Sequence, residues 1–511
     1  MNSISKVFSA ELEGIEAKRI EVETDLYPGT HSFTIVGLAD KALSESKERI
    51  NAALKNIGVK APNRETRRVI VNLAPADVKK TGSQYDVAIA IGYLLASGQI
   101  KKFETERYIF LGELALDGSL RQIAGAMSIA RMAASLGITN LIVPLENAAE
   151  AAMISGVTIF GSRTLTDIIA HLEGTTSLTA RETTQPEYSQ STHAVSIADI
   201  NGQEHAKRAL LIAASGGHNI LMIGPPGTGK TMLAQAIASL LPPPTHEEII
   251  EMTQVYSAAG ALAGKPYFAE RPFRAPHQTA SPVAVFGGGQ LPRPGEISLA
   301  HRGVLFLDEL PEFRRDLLES LRQPLESGLA TISRVRNNLT FPARFMLVAA
   351  MNPCPCGYNG DSERACICAP YDVLRYKKKV SGPLLDRIDI QIQVPRVTLN
   401  ELRGSASVTN TNGFQKQVVV ARERQRERLM AVGCLLNSEM SSKDAQKLIH
   451  LSPEAEELLQ TMFKKSLISA RGYYRVLKLA QTIADLAVRD IVEKTDLSEA
   501  FSYRLREKLS S

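Results

Sequence analysis

The chain has 511 residues, of which 44% are hydrophobic and 22% charged, with a formal net charge of +5. It is too long for one core and should divide into about three or four domains, and no stretch nears the roughly 20 apolar residues of a membrane span. The mild positive charge permits a nucleic-acid partner without demonstrating one, while the polar start MNSISKVFSAELEGIE has no apolar signal core, so a cytoplasmic protein with reduced thiols is expected.

In chain order, residues 1–174 alternate β-like runs at 33–36, 69–73 and 141–144 with helical stretches over 40–57 and 121–136, which predicts an α/β or α+β domain. Residues 175–195 are rich in Ser, Thr and Gln and are assigned as a linker. A second alternating region predicts an α/β core over 196–400. A connection spans 401–417, with a polar break at 404–414, and helical spacing of apolar residues follows over 418–511, clearest at 453–463, 474–488 and 496–505.

Within the core, the strand HNILMIG leads into GPPGTGKT and a helical run. Strand, glycine-rich loop and helix are the context of a phosphate-binding loop. Gly224, Pro225, Pro226, Gly227, Thr228, Gly229, Lys230 and Thr231 would then surround the phosphates of ATP. Lys230 should neutralise the terminal phosphates and Thr231 should ligate Mg²⁺. Downstream, VLFLDE predicts a buried parallel strand with Asp308 beside the metal and Glu309 polarising the attacking water. A third strand, FMLVAAMN, should lie beside these two and bring Asn352 to the nucleotide.

Directly after Asn352 come Cys354, Cys356, Cys366 and Cys368, four of the five cysteines in the chain. Two C-x-C pairs across a short polar turn can close a tetrahedral S₄ site. Zinc is the expected ion, with an iron–sulfur cluster as the rival and four free thiols as the third possibility. No histidine base accompanies them nearby, which disfavours a catalytic thiol, and Cys434 is assigned to the core. The run from Arg422 to Arg428, with arginines between glutamates, is expected to be a solvated helix face with i,i+3 and i,i+4 pairs.

With Asn352 in the sensor-1 position, the chain resembles the AAA+ ATPases. That resemblance implies an arginine finger at Arg387 in SGPLLDRID, reaching a neighbouring subunit's ATP. It also implies a sensor-2 arginine at Arg471 in SARGYYR, with Arg475 one turn on, and ATP held between core and helical lid. Residues 271–303 look like a helix-2 insertion. Residues 328–345 read as a hairpin turning about Asn337 and Asn338, with Arg334 and Arg336 near its tip as candidate DNA contacts.

The ordered set GPPGTGKT, RPFRAPHQTAS, PRPGEISLAHRGVLFLDELPEF, AAMNPCPCG, SGPLLDRIDI and SARGYYRVLKLAQTIADL resembles YifB/ComM-type magnesium-chelatase-like proteins over nearly the whole chain. The implied fold is α/β, an AAA+ core with a helical lid, preceded by an α+β domain like that of Lon proteases and ribosomal protein S5. The implied activity is a hexameric ATP-driven DNA motor, a helicase for branch migration in DNA uptake and recombination during natural transformation. Its partners would be single-stranded or branched DNA and further copies of the chain, with no membrane. A chelatase-type remodelling subunit is the alternative reading, and a Lon-like protease the weaker one: Ser83 stands in the nucleophile turn, but Met127 occupies the lysine position and cannot accept a proton.

Overall fold

The computed structural model describes residues 4–37, 41–187, 195–289, 292–333, 338–398, 411–465 and 469–504. It opens with two long antiparallel strands, Ser5–Glu13 and Glu16–Pro28, joined at Gly14, whose φ of 68° suits glycine in a tight turn. This hairpin begins in the polar start of the chain, where no element was expected. The alternation in RIEVETDL was the available signal. It is blurred in the first strand because that strand is covered on both faces and its residues 7–11 are all buried.

Arg67–Ala74 adds antiparallel to the second strand and pairs in parallel with Ser32–Val36, from which the crossover helix Lys41–Asn56 leads to it. The helix Asp86–Ala96 packs on this sheet and is buried from Asp86 through Leu94, which explains its apolar circumference. A three-stranded parallel sheet follows, with Asn140–Pro144 between Tyr108–Phe110 and Thr158–Ser162. The helix expected over 121–136 is shorter, Ala126–Ser135, because Leu120–Arg121 pairs with Glu113–Leu114 and Gly125 takes a φ of 78° ahead of the helix.

The supposed linker does not hang free over its first half. Arg181 N–H donates to Ile159 O at 2.8 Å, Thr184 N–H to Ala152 O at 3.0 Å, and Glu187 N–H to the Tyr267 hydroxyl at 2.9 Å. Its polar side chains face outward while its backbone is tied to the domain before it and the core after it.

The core sheet is wholly parallel, in the order Phe273–Arg274, Val304–Leu307, Met346–Met351, Ile220–Ile223, Ile390–Gln393. VLFL and MLVAAM are buried at every position, as strands covered on both faces must be. A small hairpin, Gly287–Gly288 with Arg293–Pro294, and two short helices fill the insertion before Val304. A second hairpin pairs Leu329–Ser333 with Asn338–Pro342, Ser333 opposite Asn338, so Asn338 opens the second strand rather than lying between the two. Arg334 and Arg336 lie outside the described residues.

Helices Thr411–Leu429, Ser442–Leu448, Pro453–Lys464, Ala470–Leu486 and Lys494–Ser502 complete the chain, the first beginning within the expected connection. Thr411–Leu429 packs on the core helix Glu204–Gly216 and on Ala470–Leu486. The arginine run is therefore not a solvated face. Arg422 donates to Ala214 O at 2.6 Å, Arg428 pairs with the buried Asp485 at 2.7 Å, and Gln425 is buried against Ser215 O. Long-range acceptors took the place of the expected neighbours along the helix. Among the described residues no helix is long and apolar enough to cross a membrane.

Candidate nucleotide and metal sites

The expected P-loop leaves the C-terminal end of Ile220–Ile223 and runs into the helix Lys230–Leu240. Gly224 is required by close approach, since a Cβ there would lie 2.2 Å from Val394 O, and Gly227 and Gly229 have φ of 79° and 83°. Lys230 is 8% exposed, and its Nζ donates to Gly224 O and Pro225 O at 2.8 Å each and to Asn352 Oδ1 at 3.2 Å. Burial lowers its pKa from the ordinary lysine value, against the attraction of Asp308 and Glu309.

Asp308 and Glu309 follow the strand Val304–Leu307, and Thr231 Oγ1 donates to Asp308 Oδ2 at 2.9 Å. Glu309 has a φ of 51°, a left-handed conformation that only a short list of residues adopts without cost. These residues, with Met351 and Asn352, line a cleft of about 400 Å³. Lys230, Thr231, Asp308, Glu309 and Asn352, expected together, are together. Thr231 and Asp308 offer the hard oxygen donors that suit Mg²⁺.

The expected arginines are elsewhere. Arg387 lies just before the strand Ile390–Gln393, among residues that precede or open the parallel strands: Asn219, Gly303, Met346 and Asp389. The cleft lies past the opposite strand ends, about 13 Å away for four residues at 3.3 Å each. Arg387 is 4% exposed, donates to Pro383 O at 2.6 Å and pairs with Glu326. It lines a second cavity of about 400 Å³ with Arg271, Arg302, Arg422, Arg475 and Lys478.

Arg475 pairs with Asp389 at 3.4 Å in this cavity, whereas Arg471 is exposed and lines neither site. Burial pushes the Arg422 guanidinium down to about 9, with Arg271 adding repulsion. Among the described residues, none from the C-terminal helices lines the cleft, contrary to the expected place of ATP between core and lid. Those helices instead brace the opposite strand ends, where His218 contacts Thr482 Oγ1 at 2.8 Å. Arg271, Arg302, Arg422 and Lys478 were missed as a group, although Arg271, Arg302 and Lys478 all stand within the motifs quoted above.

The four cysteines converge, with all four Sγ atoms within 4.8 Å of one another. Sγ separations are 3.4 Å for Cys354–Cys356, 3.7 Å for Cys354–Cys366 and 3.6 Å for Cys356–Cys366. A tetrahedral site with 2.3 Å metal–sulfur bonds needs about 3.8 Å between sulfurs, so the donor set fits a thiophilic ion. Backbone N–H groups turn inward, from Asn359 to Cys354 Sγ at 3.3 Å and from Cys356 to Cys368 Sγ at 3.4 Å. The Tyr358 N–H, with others, holds the Cys356 thiol down to about 6, a thiolate at neutral pH.

The protease constellation is absent at the expected positions. The Ser83 hydroxyl donates to the Glu113 carboxylate, and Met127 is fully buried in a cluster with Met153, Ile249, Met252 and Ala269. Gly125 N–H donates to Ser257 Oγ at 3.0 Å and Arg131 to Gln254 at 2.9 Å. The helix that would carry a catalytic lysine is thus the one that docks on the core helix His246–Ala259.

Comparison with known proteins gives three family matches: magnesium chelatase subunit ChlI over 196–402, subunit ChlI of Mg-chelatase over 22–147, and the ChlI C-terminal region over 409–504. The chain is 41% identical to the competence protein ComM of Haemophilus influenzae over 518 residues, covering all of both chains. It is 41% identical to the uncharacterized protein YifB of Escherichia coli, covering 99% of this chain and 98% of that one. Against the magnesium-chelatase 38 kDa subunit of Acidiphilium rubrum identity is 30%, over 30% of this chain and 51% of the relative.

Proposed function

Because this chain belongs to the YifB/ComM magnesium-chelatase-like family, with an AAA+ core, we propose that it is a ring-forming ATPase that drives DNA branch migration or unwinding. The observation that carries the ring is the split between its two sites. Among the described residues the cleft with Lys230 has no arginine, and the arginine cavity stands at the far end of the same sheet. Arg387 Nε is buried without a hydrogen-bond partner among the described residues, a donor that a single copy leaves unsatisfied. A second copy brings its Arg387 and Arg475 to this copy's cleft, and six copies close the ring.

In the cleft, Lys230 and the loop N–H groups bind the ATP phosphates. Thr231 and Asp308 would hold Mg²⁺, which supplies charge neutralisation when bound. Asn352 orients the lytic water and Glu309 takes its proton as the water oxygen bonds to the γ-phosphorus. The bond to the bridging oxygen breaks, leaving ADP and phosphate. We assign 1–174 as a docking or DNA-binding domain, 196–400 as the motor, with zinc at the cysteine cluster, and the helices from Thr411 as the buttress of the arginine face. Arg334 and Arg336, which fall in sequence between the two strands of the second hairpin, are assigned to DNA phosphates. Likeness to ComM supports a role in competence, hence DNA as the substrate.

The test is ATP-dependent conversion of labelled three- and four-strand DNA junctions, with Glu309→Gln as control. Conversion that needs ATP and falls at least about 100-fold in the control is expected. ATP hydrolysis with neither conversion nor DNA stimulation would favour the second reading, a chelatase-type remodelling subunit, which the ChlI family matches support.

A further inference from the structure

The cysteine cluster does not hang off the core as an independent knuckle. It leans on the phosphate loop. At Gly357, between the two cysteine pairs, a Cβ would lie 2.7 Å from Pro226 Cδ and 3.9 Å from Asn352 Cγ. Gly357 has a φ of 87° and its N–H donates to Cys354 O at 3.0 Å, so its place follows from the cysteine turn. Cys354 itself is fully buried two residues beyond Asn352, the residue whose Oδ1 accepts from Lys230. Past Cys368 the chain enters the helix Pro370–Lys377, where burial pushes the Tyr376 hydroxyl up to about 12 and the Asn352 N–H donates to it.

We propose that the cysteine cluster is a metal-dependent brace of the nucleotide cleft. With a tetrahedral thiophilic cation bound, the 354–368 turn presses Gly357 on Pro226 and fixes Asn352 against Lys230. Without it, nothing ties the four sulfurs, all within 4.8 Å of one another, into one unit, so the turn rearranges and both contacts loosen. Nucleotide affinity then follows metal occupancy. The Gly224–Thr231 loop needs this second support because its own glycines leave it free to move, and because Gly224 N–H is bonded to Met351 O, on the strand that ends at the cysteine turn. The proposal rests on 224–231 being the nucleotide loop.

The experiment uses the full-length chain, purified with its metal, stripped with a chelator and reloaded with zinc alone. Metal content, affinity for a fluorescent ATP analogue and amide exchange across 220–231 are read together. Stripping should weaken nucleotide binding by about tenfold or more and speed exchange in the loop, with reloading restoring both. Gly357→Ala should keep its metal yet reproduce the weaker binding, because the added methyl displaces Pro226. Gly360→Ala, at a φ of 80° with no atom within 4 Å of the added Cβ, carries similar backbone strain and should bind normally.

If stripping unfolds the chain, the two glycine variants still decide, since they leave all four thiols in place. Unchanged affinity after stripping, or equal behaviour of the two variants, would overturn the brace alone. A metal-loaded wild-type chain that binds no nucleotide overturns the nucleotide-site reading, and the brace with it.

Discussion

Lys230 shows how a single side chain in the cleft trades stability for binding. Its ammonium is buried among neutral acceptors, two carbonyls and the Asn352 amide, and its pKa is lowered by that burial. In the empty protein the charge is therefore a cost, recovered only when phosphates arrive. Lys230→Met should leave the melting temperature of the empty chain equal or slightly higher. It should also abolish the stabilisation that ATP gives the wild type, about 2.7 kcal/mol at a hundredfold excess over Kd. Thermal unfolding with and without ATP checks both halves; a variant still stabilised by ATP would remove Lys230 from phosphate binding. A second residue, Glu150, carries a pH dependence. It is buried, accepts from Met127 N–H at 2.9 Å and from Ser257, and no cation among the described residues pairs with it. Desolvation raises its pKa above the ordinary 4.5. The sign follows: with the folded pKa above the unfolded one, the cost is absent below pH 4.5, grows as pH rises and persists above the folded value. Glu150→Gln should match the wild type near pH 4.5 and melt higher at pH 8, by about 2–4 °C per kcal/mol relieved, and calorimetry at the two pH values reads the difference.

At the scale of elements, the helix Ala126–Ser135 has the clearest change of purpose. Its first turn faces the core helix His246–Ala259, with Met127 seated against Ile249 and Met252. Met127→Lys, which writes the missing protease base back into the sequence, buries an ammonium among thioethers and isoleucine. A loss of about 3 kcal/mol or more in the stability of this contact is expected, with no peptidase activity gained, because the Ser83 hydroxyl is already given to Glu113. Proteolytic susceptibility near 175–187 and a casein-type assay would check the two parts. The same helix marks the limits of reading elements from the sequence. The P-loop strand, the VLFL strand and MLVAAM were legible because continuous apolar runs ending in charged or glycine-rich motifs have few other uses. The cysteine cluster was legible from its spacing. The opening hairpin was not, since burial on both faces blurs a two-residue period. The environment of Arg422 and Arg428 was not, because their partners Ala214 and Asp485 lie 208 and 57 residues away. Arg471 drew attention by its motif, whereas the helical register turns Arg475 into the arginine cavity.

The whole molecule has one acidic cleft and one arginine-rich cavity at opposite ends of a single parallel sheet, so no bending of one chain joins them. In the proposed ring the two faces meet between copies, and the charge balance supports that pairing. Arg387 and Arg475 have Glu326 and Asp389 as partners, but among the described residues Lys478 and Arg422 bond only backbone carbonyls, Ser438 O and Ala214 O, leaving cationic surplus for a phosphate. Two kinds of dependence on Arg387 are then distinguishable. Were it a structural residue acting within its own chain, mixing Arg387→Ala with wild type would lower ATPase in proportion to the fraction of variant. If it completes a neighbour's site in a ring whose members must fire together, an equal mixture of six-membered rings retains all-wild-type sites in only roughly 2% of assemblies, against half for independent chains. The expected curve falls steeply and lies far below the proportional line, measured on mixtures assembled at fixed total protein with junction DNA present. Sedimentation of the variant alone guards against the trivial cause, because Arg387 also holds Glu326 and Pro383 O, and a variant that cannot assemble would give a straight line for want of mixed rings. Arg387→Lys keeps the charge but loses the forked geometry, and should assemble while hydrolysing poorly, so the disproportionate loss should survive the conservative substitution if the phosphate of the neighbouring copy is what the guanidinium meets.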